Sequence, residues 1–216
     1  MKNIYENKEL CAKCKGKCCK KGGCQYAPSD FESIKYSYLL EKLKEGYISI
    51  VCVLDFVVLS GKVIAKPYLY VKSRNTGRDI IDLVSLRTKC LCLTDSGCMY
   101  DFSHRPSGGV NLIPDQNGCY PEKDPMEFIM MWQPHQDVLR KLVRQISGKT
   151  VEQKLSEDVQ QLFTDLLEKN FNGVDKEELT DVLSNINRYI LSFPNEYKKA
   201  KAQYNLLRPQ NNLRTK

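Results

Sequence analysis

The chain has 216 residues, 42% of them hydrophobic, and ten cysteines. That apolar content supports a folded core and excludes a disordered chain, while no apolar run reaches the roughly 18 residues of a membrane span. The formal charge of +7 lies at the ends: residues 1–24 carry seven Lys and two Glu, residues 194–216 six Lys or Arg and one Glu, and the middle 20 basic against 23 acidic residues.

The N-terminal MKNIYENKEL has no apolar core of a signal peptide. The expected address is therefore the cytoplasm, where thiols stay reduced. Ten cysteines there read as metal ligands before they read as disulfides. In an oxidising compartment the same spacing would be a disulfide framework.

Residues 1–28 form a polar loop rich in Gly and Lys, and something other than apolar burial must hold it. Metal coordination can do so, because ligand binding and folding are coupled. Pro28-Ser29-Asp30 predicts a helix start, with Glu32 completing a capping box on Ser29. Ile34, Tyr38, Leu39 and Leu43 continue that helix to Gly46. Residues 47–73 change period: YISIVCVLDFVVL, a turn at Ser60-Gly61 and KVIAKPYLYVKS predict a β-hairpin. Cys52, flanked by Val51 and Val53, is assigned to the core.

Residues 74–125 predict a long irregular segment around a short apolar run, DIIDLVSL. Segments of this kind inside compact domains are functional, disordered or metal-stapled. From about 126 the pattern is helical. Pro134 suits a first helical turn, Ser147-Gly148 a stop, and Thr150-x-x-Gln153 the capping box of the next helix. Further helices are predicted after Asp175 and Pro194. The expected fold is α+β: a cysteine-rich, metal-stapled part with a β-hairpin over 1–125, a helical part over 126–209, and a frayed tail over 210–216. The helical part either packs on the first or forms its own lobe.

The chemistry resides in the cysteines. Cys11, Cys14, Cys18, Cys19 and Cys24 fall within fourteen residues, and Cys90, Cys92, Cys98 and Cys119 follow later. Cys-x2-Cys lets two thiolates from one tight turn reach a single ion. These nine cysteines exceed one four-ligand site and suffice for two. Adjacent Cys18 and Cys19 are expected to face different ions or to bridge a cluster. The metal is an iron–sulfur cluster or iron, alternatively zinc. Tyr100, His104 and Arg105 are candidates for catalytic roles, with Asp95 and Asp101 as ligands or partners. His135 is read as an ordinary helix residue.

Cys11, Cys14, Cys18 and Cys19, followed by Cys90, Leu93, Gly97, Cys98, Tyr100, Arg105 and Pro106, resemble the two motifs of a known family. It is the cysteine-cluster family described as zinc- or iron-chelating, which includes the flagellin lysine N-methylases. The resemblance covers roughly residues 11–24 and 90–119. The chain departs from it at Cys92, where the family has an aromatic, in the longer gap from Cys98 to Arg105, and at Gly109, where a cysteine is expected. Cys119, Cys24 or Cys92 would make up that ligand. The resemblance implies a metal centre and protein modification. On residues alone, no glycine-rich nucleotide-binding turn, Ser-His-Asp set or H-E-x-x-H helix is present.

The first functional expectation is a metal-dependent oxidoreductase or protein-modifying enzyme acting on a protein or peptide. The alternatives are a non-enzymatic zinc-stapled module binding a protein or RNA, and a metal store or carrier. The acidic middle argues against nucleic acid as a partner, and no membrane partner is expected.

Overall fold

The computed structural model describes residues 9, 13, 16–59, 62–84, 88–95, 97–116 and 118–167. Cys11, Cys14, the Ser60-Gly61 turn, the helices expected after Asp175 and the tail lie outside them. The chain divides into two compact units, Met1–Lys154 and Leu155–Lys216. The fold is α+β.

The first unit is built on one long hairpin. β1 (Ile48–Leu59) pairs antiparallel with β2 (Lys62–Ser73), in register from Ile48↔Ser73 to Leu59↔Lys62. β-Branched residues dominate β1 and favour the pleated conformation. At the open end of the hairpin, Ile48, Ile50, Val51, Cys52, Leu69, Tyr70 and Val71 are all buried. Consecutive burial means that both faces are covered there, whereas Asp55, Val58 and Lys66 are exposed towards the tip. Cys52 lies in this core, its thiol donating to the carbonyl of Leu83 at 3.1 Å.

Helices cover the hairpin base. The helix α2 (Tyr36–Lys44) buries Leu39 and Leu43. α4 (Pro125–Met130) buries Phe128 and Ile129, and α5 (Gln136–Ser147) buries Leu139, Leu142 and Val143. Both α4 and α5 pack on β2, and α5 also packs on α2. The helical segment after residue 125 therefore joins the first unit for two helices, and the division falls at Lys154. Trp132, between α4 and α5, is fully buried.

The first predicted helix begins later than its capping pattern suggests. Pro28–Asp30 is a single 3-10 turn, Phe31 and Lys35 are extended, and the helix starts at Tyr36. Asp30 is engaged elsewhere: its carboxylate accepts from the Ala27 N–H at 2.9 Å and from both the N–H and hydroxyl of Ser107. Phe31 enters an aromatic stack, 5.2 Å from Tyr26 and 5.8 Å from Trp132 between ring centroids. Tertiary contacts outcompete the local helix signal.

The later signals hold. Gly148 ends α5 in the left-handed region with φ 70°, where glycine carries no Cβ penalty. α6 (Val151–Leu167) opens on the predicted capping box: Thr150 Oγ1 accepts from the Gln153 N–H at 3.2 Å, and Gln153 Oε1 accepts from the Thr150 N–H at 3.0 Å. Both residues are exposed, so Thr150→Ala removes little besides the cap. A loss of about 1 kcal/mol in urea unfolding is expected. In the second unit Leu155, Val159 and Leu162 are buried at helical spacing along α6.

The outer edge of β2 organises the rest of the first unit. An open strand edge is a row of unpaired amides and carbonyls and must be covered. Arg140 donates to the Pro67 carbonyl. Gln136 accepts from the Leu69 N–H at 2.9 Å and donates to its carbonyl at 2.8 Å. Beyond that point, the two cysteine-bearing segments complete the edge.

Candidate metal centre

Residues 24–26 and 89–91 dock one after the other on β2 and its continuation. The Tyr26 N–H donates to the Val71 carbonyl at 2.9 Å, the Ser73 N–H to Cys24 at 2.8 Å, and Gln25 bridges Lys72 antiparallel. One step further, the Leu91 N–H donates to Arg74, the Thr76 N–H to Lys89, and Cys90 bridges Asn75. Asn75 is buried and accepts from the Gly23 N–H at 2.8 Å. A single strand thus brings the early and late cysteines together.

α1 (Lys17–Lys20) carries Cys18 and Cys19. It opens on Gly16 with φ 70°, and a Cβ there would lie 2.6 Å from Leu93 Cδ1. The Cys19 carbonyl accepts from the Cys90 N–H at 2.7 Å. Cys92 precedes, and Cys98 ends, a minimal hairpin of β3 (Leu93–Thr94) and β4 (Gly97–Cys98), closed by the Met99 N–H donating to the Cys92 carbonyl. After it come α3 (Ser107–Val110) and the hairpin β5 (Leu112–Asp115) with β6 (Gly118–Pro121). β6 carries Cys119 and packs against α1. Asp30 clamps Ser107, and the Gly108 N–H donates to the Gln25 carbonyl at 2.9 Å. These bonds draw the RPSGG loop over Cys24. A Cβ on Gly109 would lie 3.6 Å from Cys24 Sγ. The position at which the resembled family has a cysteine therefore borders the thiol cluster.

Seven described cysteines gather here as free thiols: Cys18, Cys19, Cys24, Cys90, Cys92, Cys98 and Cys119. Cys90 and Cys92 are buried and the others half-buried. The Cys18 and Cys19 sulfurs are 3.9 Å apart. Two sulfurs each about 2.3 Å from a tetrahedral ion are separated by about 3.8 Å. The observed contact is a thiol–thiol hydrogen bond of similar length. The Cys18 thiol also reaches Cys119.

The thiols share protons. A hydrogen bond from Cys19 lowers Cys18 to about 6, and the same bond raises Cys19. Cys90 falls to about 7 through its bond from Cys92, and Cys92 rises. Burial pushes Cys24 up to about 12. So many thiols at one place cannot all ionise without a cation to offset their repulsion. Among the described residues, no group of three or more His, Cys, Asp or Glu converges tightly enough to hold an ion as it stands. The donor set is nonetheless all sulfur, which suits zinc, iron–sulfur or other soft ions and not magnesium or calcium.

The oxygen and nitrogen candidates separate. Tyr100 is half-buried and its hydroxyl meets Cys92 and Tyr26; burial raises Tyr100 to about 12 and raises Tyr26 as well. His104 is exposed, its Nδ1 2.7 Å from Asp101, and both side chains face solvent. Ser103 first, and His104 second, hold Asp101 down at about 2. Arg105 lies over the Phe102 ring and donates to the Tyr100 carbonyl. Asp95 is exposed, and His135 packs edge-on against Trp132 at 6.1 Å.

Lys72 escapes sequence reasoning. It is buried, and its ammonium favours the thiolate forms of Cys24 and Cys90. A lysine within a strand pattern gives no signal of this role. The basic loop around Cys11–Cys24 draws attention instead. Asp30 is equally hidden, because its pattern matches a helix cap.

No family model, curated protein or solved structure matches the chain.

Proposed function

We propose that this chain is a thiolate metal-binding protein of a reducing compartment such as the cytoplasm, its centre holding zinc, or iron bound alone or as an iron–sulfur cluster. One observation carries the reading: backbone pairing along one strand edge sets the segments that carry Cys24 and Cys90 side by side, and α1 with the small hairpins carries five further free cysteines around them. Grouping thiols in this number, two of them buried and five half-buried, serves no packing purpose, since an aliphatic side chain fills the same space without ionising. The resemblance of Cys18, Cys19, Cys90 and Cys98 to the motifs of the cysteine-cluster family supports the same reading, and Cys11 and Cys14 belong to the same motif.

A bound zinc supplies charge neutralisation and a Lewis acid, and a bound iron–sulfur cluster supplies one-electron exchange. The chain's own residues set the surroundings. Lys72 offsets thiolate charge, and Tyr100 offers a hydroxyl at Cys92. Arg105 fixes the backbone at Tyr100, and His104 with Asp101 forms an exposed acid–base pair nearby. The resemblance to the cysteine-cluster family supports a redox or modifying reaction on a protein or peptide as the use of such a centre.

Anaerobic purification, metal analysis and an ultraviolet–visible spectrum test the proposal. Zinc or iron is expected to co-purify. Visible sulfur-to-iron absorption would identify iron–sulfur, and a colourless zinc protein would remove the redox form. A fully folded chain that retains no transition metal and takes none up would overturn the reading.

A further inference from the structure

The outer half of the long hairpin takes no part in the thiol cluster, which docks at the other end, on Val71 to Thr76. Towards the tip, the described hydrogen bonds from the hairpin to other segments end at Cys52 in β1, whose thiol donates to the Leu83 carbonyl, and at Pro67 in β2, whose carbonyl accepts from Arg140. The ladder itself runs on. Asp55 pairs with Lys66, Phe56 with Ala65, Val57 with Ile64, Val58 with Val63 and Leu59 with Lys62. Asp55 and Lys66 are exposed and form a polar collar across the two strands. The four pairs beyond this collar extend about 14 Å, at roughly 3.4 Å per residue.

Those pairs are almost purely apolar. Residues 56–59 and 63–65 are all Phe, Val, Leu, Ile or Ala, and Lys62 is the only charged residue between 56 and 65. Successive residues of a strand alternate between its faces, so both faces of the tip are apolar. Val58 is 70% exposed, whereas the other exposed large hydrophobic residues among those described lie between 39% and 51%.

The geometry selects what can cover such a tip. A second copy or a partner strand takes one edge or one face and leaves the opposite face in water. A lipid surface covers both faces at once. Charge agrees: Lys62 and Lys66 outnumber Asp55 in the outer hairpin, and the whole chain carries +7, which suits anionic headgroups. We infer that the hairpin tip inserts into the surface of a bilayer that contains anionic lipid. Interfacial elements bury their apolar groups about 5–10 Å into the boundary between headgroups and acyl chains. The tip is long enough for that while the Asp55–Lys66 collar stays among the headgroups. The dip is shallow because the outer edges of a two-stranded ladder keep unpaired amides, which must remain within reach of water. Among the described residues no helix is long and apolar enough to cross a membrane, and an interfacial hairpin needs none. Attachment of this kind does not depend on what the thiols hold. It sets where the chain works.

The test is co-sedimentation of the full chain with phosphatidylcholine vesicles, with and without phosphatidylserine. Binding is expected to the mixed vesicles, and Val58→Asp is expected to weaken it about tenfold or more. Lys62→Gln combined with Lys66→Gln is expected to weaken it severalfold and to reduce its salt dependence. Val58→Trp supplies an arm that needs no loss of binding. The one native tryptophan, Trp132, is fully buried, so a blue shift of emission on adding vesicles, with quenching by brominated lipid, reports the new indole within the bilayer. Folded protein that binds neither vesicle would overturn the inference. Binding that Val58→Asp leaves unchanged would overturn it too, by assigning attachment to the basic ends of the chain. Self-association without lipid that Val58→Asp abolishes would assign the tip to a second copy instead.

Discussion

Replacing Gly23 with alanine is expected to destabilise the first unit by roughly 3 kcal/mol and to lower metal retention with it. An alanine Cβ there would lie 2.1 Å from the Ser73 carbonyl oxygen and 2.7 Å from its carbonyl carbon. Both are backbone atoms in a paired strand and cannot rotate aside. The segment must lift, breaking the bonds from Gly23 to Asn75 and between Cys24 and Ser73. Buried Asn75 then loses a partner, which itself costs about 1–3 kcal/mol. Cys24 and the α1 cysteines move with it. Gly77→Ala is the control: its added Cβ meets nothing within 4 Å, although φ is +76°. That left-handed conformation costs an alanine about 1 kcal/mol and leaves the thiols in place. Urea unfolding alongside metal analysis separates the two. Equal losses in both variants would show that close docking on β2 does not hold the site.

Trp132→Ala is expected to cost about 4 kcal/mol, lowering the melting temperature on the order of 10 °C for a unit of this size. The indole is fully buried and packs against Phe31, which in turn packs against Tyr26. Its Nε1–H donates to the Tyr26 carbonyl at 2.7 Å. Trp132 therefore joins α4 and α5 to the strand segment that presents Cys24. Trp132→Phe keeps much of the volume and loses that bond, so a smaller loss of about 1–2 kcal/mol is expected. Thermal unfolding followed by circular dichroism measures both. A change of under 1 kcal/mol for the alanine variant would contradict the packing described here.

The hairpin was legible in the sequence because β-branched residues act locally. The assignment of Cys52 to the core followed from its two valine neighbours, and the structure buries it. The capping box at Thr150 was legible because both partners lie within one helical turn. The same pattern misled at Ser29–Glu32, where Asp30 serves Ser107, a residue 77 positions away. Long-range use of a carboxylate leaves no local mark. For the same reason residues 23–26 and 89–91 read as loop. Their pairing with β2 uses backbone groups, which every residue has, so composition does not reveal it. The clustering of cysteines was visible as spacing. Which of them meet depended on the order of segments along one strand edge, and periodicity carries no record of that.

That edge also bears on how the chain folds. The hairpin closes over a short connection, whereas the site needs Gly23 to find Asn75 across 52 residues and Tyr26 to find Trp132 across 106. Distant contacts pay loop-closure entropy before they return any stability, so they form late. During synthesis the front thiols emerge well before β2, the 90–98 segment and Cys119 exist to receive them. For that interval they are open to adventitious metals and to oxidation, and the strand that later gathers them acts as a template. Refolding of the reduced chain without metal should therefore show the hairpin and helices in a fast phase and ordering of the cysteine segments in a slower one.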